Sequence, residues 1–268
     1  MTSPIEREQV RNPEVRQILE TITPMQRAVA EMMLTAQVEG KLVRRFGAPG
    51  NYTYSSPEDT ERIPMITIAQ NEHEFVGAAN YKDESLPLLS YFANLRGGTP
   101  ENYDLMARSL ADTEIPFDFD YVIGIPTTGN YIAEPFARIV GVPYIPLLKK
   151  TASGEQRAFV VEPEGKLPEK GMKGLGIDDL ITSSKTKDDA GDALTAAGLE
   201  VAGFGVVYDR QEGGVDQMKR KGKKIFAAVN ASQVFAVALM MGKINELTHA
   251  RLMESIEKAR LANSLRAL

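Results

Sequence analysis

From Leu175 the chain reads Leu175-Gly176-Ile177-Asp178-Asp179-Leu180-Ile181-Thr182-Ser183-Ser184-Lys185-Thr186. A short apolar run ends in two carboxylates, and a hydroxyl-rich turn then opens a helical segment. A carboxylate pair at a strand end can accept hydrogen bonds from a sugar diol or hold Mg²⁺ through water. The unpaired N–H groups of a helix start, together with the helix dipole, favour a phosphate. Acid pair and phosphate cradle together suit a phosphorylated ribose. An acidic turn followed by an ordinary Ser/Thr helix cap accounts for the same residues.

Outward from this stretch, strands and helices alternate. Upstream, Tyr121–Ile125 is an apolar run of buried-strand type, ended by Pro126-Thr127-Thr128-Gly129-Asn130. A helix over Tyr131–Val140 follows, with Gly141 as its left-handed cap. Val142–Leu148 reads as a second strand, and Lys149–Lys173 as a long polar stretch. Downstream, the pattern predicts a helix over Asp188–Ala197, a strand over Glu200–Tyr208 and a short helix near Val215–Lys221. A strand over Lys224–Val229 and helices over about Ser232–Met241 and Glu246–Leu261 complete it. Such alternation implies right-handed crossovers and a mainly parallel sheet, whose ligands bind beyond the carboxyl ends of the strands.

Two further strand ends carry polar turns. Pro126–Asn130 is a small-residue turn leading into a helix, suited to a second anionic group such as a diphosphate, or to a plain strand–helix connection. After the strand Glu200–Tyr208 comes Asp209-Arg210-Gln211-Glu212-Gly213-Gly214. Arg210 there could offer a forked donor to a carboxylate, or could be a surface arginine in a polar turn.

The composition narrows the chemistry. The 268 residues contain no cysteine, which excludes a disulfide framework, a thiol nucleophile and any cysteine-ligated metal. The two histidines, His73 and His249, stand far apart in sequence and are expected to be solvated. No apolar signal core opens the chain and no run of about 18 apolar residues occurs, so a cytoplasmic protein that does not enter a membrane is expected. A net charge of −5 argues against a broad nucleic-acid surface, and the basic run Lys219–Lys224 reads as a solvated helix end. Near the N-terminus, Pro13-Glu14-Val15-Arg16 and Thr23-Pro24-Met25 each open a helix, since proline at a first helical position loses no hydrogen bond. Residues 47–72, which begin with Gly47–Pro57, rich in Gly, Pro, Asn, Ser and Tyr, read as a loop or hairpin region with a strand-like Met65–Ile68.

The three strand-end segments, in this order on successive strands, closely resemble a type I phosphoribosyltransferase, specifically the orotate phosphoribosyltransferase branch. Ile177–Thr186 is similar to the family's phosphoribosyl-diphosphate motif, and Val206–Gly214 to the branch's strand ending in Asp-Arg-Gln-x-Gly-Gly. The terminal helices around Gly242-Lys243-Ile244 also look like that branch, and so, more loosely, does Tyr91–Arg96.

The resemblance implies an α/β fold: a mainly parallel sheet flanked by helices. An N-terminal helical and hood region would span residues 1–100, and the core with its C-terminal helical pair residues 101–268. It implies transfer of a phosphoribosyl group from phosphoribosyl diphosphate to orotate, giving orotidine 5′-monophosphate and diphosphate, by a homodimer with Mg²⁺ carried on the diphosphate. Asp178 and Asp179 would bind the ribose hydroxyls. Thr182, Ser183, Ser184, Lys185 and Thr186 would hold the 5′-phosphate, with Thr182 also near the base. Thr127, Thr128 and Gly129 would form the diphosphate loop, helped by Lys149 and Lys150. Arg210 would pair with the orotate carboxylate, and Lys82 would touch the base from the hood.

The chain departs from the family pattern twice. Ser184 stands where the family nearly always has glycine. The segment Lys149–Arg157 also lacks the Lys-x-His-Gly of the family's catalytic lid, leaving Lys150 or Arg157 to supply the cation. A lid of this kind would close over the diphosphate to exclude water. Transfer to another base, or phosphoribosyl-diphosphate binding without chemistry, are the alternatives.

Overall fold

The computed structural model describes residues 10–48, 51–55, 59–69, 74–78, 90–153, 156–163, 165 and 167–266. Its Cα packing forms two units, one of residues up to Gly98 together with Ala231–Arg266, the other Thr99–Asn230. The terminal helical pair thus groups with the N-terminal residues, whereas a single boundary near residue 100 would leave it with the core.

In the first unit, Asn12 caps α1 (Pro13–Thr21) by accepting from the Glu14 and Val15 amides. Thr23 and Gln26 form a reciprocal capping box at the start of α2 (Pro24–Thr35), a cap of the kind that contributes about 1 kcal/mol. Both starts lie where the proline pattern places them. Strands β1 (Gln37–Gly40) and β4 (Glu61–Pro64) pair antiparallel, as do β5 (Ile66–Ile68) and β7 (Tyr91–Ala93). Strand β2 (Leu42–Ala48) pairs antiparallel with both β3 (Asn51–Ser55) and β6 (Glu74–Ala78), so the expected hairpin region does contain a hairpin. His73, Tyr81 and Lys82 lie outside the described residues.

The second unit opens with α3 (Pro100–Ala111) and is built on four parallel strands: β8 (Tyr121–Gly124), β11 (Lys173–Ile181), β12 (Glu200–Asp209) and β13 (Ile225–Asn230), side by side in that order. Between the strands run α4 (Thr128–Val140), closed by Gly141 in the left-handed conformation, α5 (Lys185–Ala196) and α6 (Gly214–Arg220). Ile123, Ile125, Ile181, Leu194, Phe204 and Val206 belong to its buried core. The sequence reading makes β11 too short, because Gly174 and Gly176 thin its apolar signal. A Cβ on Gly174 would come within 2.8 Å of the Ile123 and Tyr121 side chains, and one on Gly176 within 2.8 Å of Phe204. These glycines make room for large neighbours on both flanking strands.

Two expectations are corrected here. Val142–Leu148 is not a strand: only Tyr144 bridges to Val122, because Pro143 and Pro146 remove two ladder donors from a short run. The polar stretch from Lys149 is not an unstructured loop at its start. Strands β9 (Leu148–Ser153) and β10 (Gln156–Val161) pair antiparallel over their whole length. Phe159 and Val161 of β10 face the core while Val160 is exposed, the period-2 alternation of a half-buried strand.

In the first unit, α7 (Ala231–Met240) is buried on nearly every side, as its almost wholly apolar sequence requires, and α8 (Glu246–Arg266) follows it. His249 on α8 is buried, not solvated. Burial pulls its pKa below the ordinary value, with Glu246 and Glu14 opposing. Among the described residues no helix is long and apolar enough to cross a membrane.

Candidate functional site

Parallel strands put their carboxyl ends on one edge of the sheet. Gly124 lies in register with Ile177, and Asp209 with Ile181, so the segments after β8, β11 and β12 leave the sheet side by side. Two glycines bring the outer segments onto the middle one. A Cβ on Gly129 would lie 2.3 Å from the Ile177 carbonyl oxygen and 3.3 Å from Asp178 Cα. A Cβ on Gly214 would lie 2.5 Å from Ile181 and 3.0 Å from the Thr182 carbonyl carbon. Contacts this close admit only glycine. The first turn of α4 therefore rests on the acid pair, and the start of α6 on the hydroxyl turn.

The acid pair is asymmetric. Asp178 is buried, with Oδ2 accepting from Lys187 Nζ at 2.6 Å and Oδ1 from the Asp179 N–H at 2.9 Å. Asp179 is half-buried, and its Oδ1 accepts from the Leu180 N–H at 2.8 Å.

In the hydroxyl turn, Ser184 is right-handed (φ −71°, ψ −17°), so glycine's freedom is not needed at this position. Its N–H donates to Gln217 Oε1 at 2.9 Å. Its hydroxyl donates to Asp188 Oδ2 at 2.6 Å and accepts from Lys221 Nζ at 2.9 Å. Burial pushes the Asp188 carboxyl up, but hydrogen bonds from Lys221, Lys223 and Ser184 outweigh it and hold the group below the usual carboxylate range. Two lysines of the basic run Lys219–Lys224 are thus tied to α5 as ion-pair partners of Asp188. Thr182 and Ser183 are half-buried and Thr186 is exposed. Lys185 points outward to Asp189, one helical turn on.

In the first segment the Pro126–Thr127 peptide bond is cis, Thr127 is exposed and Thr128 buried. The helix takes in Thr128 and Gly129, three residues earlier than the apolar pattern predicts. The hairpin separates the neighbouring lysines by alternation. Lys150 Nζ reaches the Pro126 carbonyl at 3.5 Å, whereas Lys149 pairs with Glu162 at 2.8 Å. Arg157 lies in β10 opposite Ala152, and its side chain is outside those described.

A family model described as the phosphoribosyl transferase domain matches residues 101–238. The chain belongs to that family. Orotate phosphoribosyltransferase of Halobacterium salinarum is 32% identical over 136 residues, which cover 50% of this chain and 74% of that protein. The Cenarchaeum symbiosum protein of the same name is 31% identical over 150 residues, 54% of this chain and 73% of that one. Uridine 5′-monophosphate synthase of Bos taurus is 28% identical over 178 residues, 62% of this chain, and the match spans only 35% of that longer protein. UMP synthase of Leishmania donovani shares the fold, with a TM-score of 0.56 at 21% identity over 87% of this chain and 42% of that one.

In this chain the third segment is also tightly held. Arg210 is buried, and its Nε and Nη2 both reach Glu212 Oε1, at 2.9 and 2.7 Å. A ligand carboxylate there would share the guanidinium with Glu212. Asp209 Oδ1 accepts from the Gln211 N–H at 2.8 Å, and Gln211 is left-handed at φ 58°. The Asp209 carboxyl is pushed up to about 6, chiefly by burial; the Gln211 bond opposes this, and Asp216 and Glu212 add to it.

The folded state therefore holds the Asp209 proton more tightly than the unfolded chain does. The associated stability is gained as pH falls through about 6 and lost above it. In thermal melts, the Tm of Asp209→Asn minus that of wild type is expected to rise between pH 5 and 7.5. A difference that stays flat across that range contradicts the assignment.

Four residues of the site escape sequence reasoning: Lys187, Asp188, Glu212 and Gln217. A signal for Lys187 does exist. It occupies the first place in the buried set Lys187, Ala190, Gly191 and Leu194 of α5, where helical spacing calls for an apolar residue.

Proposed function

We propose that the protein transfers a phosphoribosyl group from phosphoribosyl diphosphate to orotate, forming orotidine 5′-monophosphate and diphosphate. The observation that carries this reading is the convergence of three segments through Gly129 and Gly214: the start of α4, an acid pair with a hydroxyl turn, and a buried arginine. The 31–32% identity to two archaeal orotate phosphoribosyltransferases supports orotate as the base.

In the proposed reaction a ring nitrogen of the pyrimidine gives up its proton, which the departing diphosphate takes, and forms a bond to the anomeric carbon. The carbon–oxygen bond to diphosphate breaks, and the leaving group takes the electron pair through a ribosyl-cation-like transition state. No protein nucleophile is needed. The end of β11 meets the ribose diol, the hydroxyl turn at Thr182, Ser183 and Thr186 holds the 5′-phosphate, and Thr127–Gly129 with Lys150 face the diphosphate. Catalysis then rests on positioning and on cations placed where negative charge develops. Arg210, shared with Glu212, takes the orotate carboxylate.

Mg²⁺ fits this donor set as an ion carried by the diphosphate. With Asp178 tied to Lys187, the acid pair offers too few oxygens for an all-protein cage. Asp179 would reach the ion through water, and when bound the ion would neutralise charge on the leaving group.

The test follows orotate absorbance with phosphoribosyl diphosphate and Mg²⁺, for wild type beside Asp179→Asn. Consumption by wild type and a loss of about 100-fold or more in the variant is expected, as for removal of a transition-state contact. Reaction of another base in place of orotate overturns the base assignment. Binding of phosphoribosyl diphosphate without turnover of any base overturns the enzymatic reading.

A further inference from the structure

The acid pair would be expected to act as two like carboxylates, yet one of them already has a buried partner. Lys187 is 2% exposed, and its Nζ donates to Asp178 Oδ2 at 2.6 Å and to the Leu180 carbonyl at 2.5 Å. Asp178 is itself 7% exposed, and its other oxygen is engaged by the Asp179 amide. Its register partner on β12 is the buried core residue Val206, and the lysine reaches it from the buried face of α5. The ammonium thus clips the phosphate-turn helix to the end of β11 on both sides of Asp179.

We propose that Lys187 is a positioning residue that holds Asp178 as a neutralised internal pair and leaves Asp179 as the acid that takes the ribose diol. The inference rests on the phosphoribosyl reading of the site and divides the pair's roles within it. Its physical basis is the asymmetry of buried ion pairs. Removing one partner strands an uncompensated charge, whereas replacing both by neutral groups is tolerated. Lys187→Met would leave the Asp178 carboxylate unpaired beside the site and let the strand end move. Changing Asp178 to asparagine as well removes that charge and leaves Asp179 untouched.

The experiment titrates phosphoribosyl diphosphate with Mg²⁺ by calorimetry, with melting curves, into wild type, Lys187→Met, Lys187→Met/Asp178→Asn and Asp179→Asn. Lys187→Met is expected to melt lower and to bind about ten-fold or more weakly. The double variant is expected to regain both its melting temperature and an affinity within about five-fold of wild type. Asp179→Asn is expected to melt like wild type and bind about 100-fold more weakly. A double variant that binds as poorly as Asp179→Asn overturns the proposal, since Asp178 would then hold the ribose itself. Wild-type affinity in Lys187→Met overturns it equally. If Lys187→Met does not fold, the comparison of the double variant with Asp179→Asn still decides. Failure of wild type to bind the ligand overturns the phosphoribosyl reading itself, and that result is distinct from a failure of the division of roles.

Discussion

Gly129→Ala is expected to lower the melting temperature by roughly 5–10 °C and to reduce kcat/KM by about 100-fold or more. The new Cβ would lie 2.3 Å from a backbone carbonyl oxygen, that of Ile177, so no side-chain rotation relieves the clash. The same carbonyl accepts the Ile125 N–H at 2.8 Å, and the Gly129 N–H itself donates to the Ile125 carbonyl at 3.1 Å. Moving the start of α4 therefore disturbs the whole connection from β8. Overpacking of this kind costs about 1–3 kcal/mol, and the displaced element carries Thr127 and Thr128 of the proposed diphosphate loop. Melting curves and steady-state kinetics check both numbers. A variant that melts and turns over like wild type would show that the close contact does not set the geometry of the site.

Lys150→Ala is expected to reduce kcat by about 100- to 1,000-fold, the size of effect seen when one preorganised charge partner of a transition state is removed. Lys149→Ala should change it by less than about five-fold, because an exposed ion pair such as that with Glu162 contributes little. The two residues are neighbours in sequence, and strand alternation alone sends one to the Pro126 carbonyl and the other to Glu162. Both variants should melt within a few degrees of wild type. Equal losses from the two substitutions, or a larger loss from Lys149→Ala, would contradict the hairpin's role in sorting these cations.

Much of this arrangement is legible in the sequence, for physical reasons that can be named. Continuous apolar runs mark β8, β12 and β13 because strands buried on both faces have no polar side. The prolines at 13 and 24 mark helix starts that the structure places at those residues. The three strand-end segments are found by their residue types alone. What local pattern does not give is pairing across space. Nothing near Asp188 shows that it will meet Lys221 and Lys223, more than thirty residues away. Nor does anything near Ser184 show that Gln217 will accept its amide hydrogen. The hairpin of β9 and β10 is obscured by its polar residues, and the supposed strand at Val142–Leu148 misleads because apolar content conceals the loss of two donors to proline. His249 reads as solvated beside Thr248 and Arg251, yet the packing of the first unit buries it.

The most direct measurement of the central claim, that three strand-end segments form one phosphoribosyl-diphosphate site, is a calorimetric titration of the wild-type chain with that ligand, with and without Mg²⁺. The account predicts a single site per chain that weakens when Mg²⁺ is withheld and is lost in Gly129→Ala. Absence of binding at millimolar ligand, or binding that Gly129→Ala leaves unchanged, would contradict it.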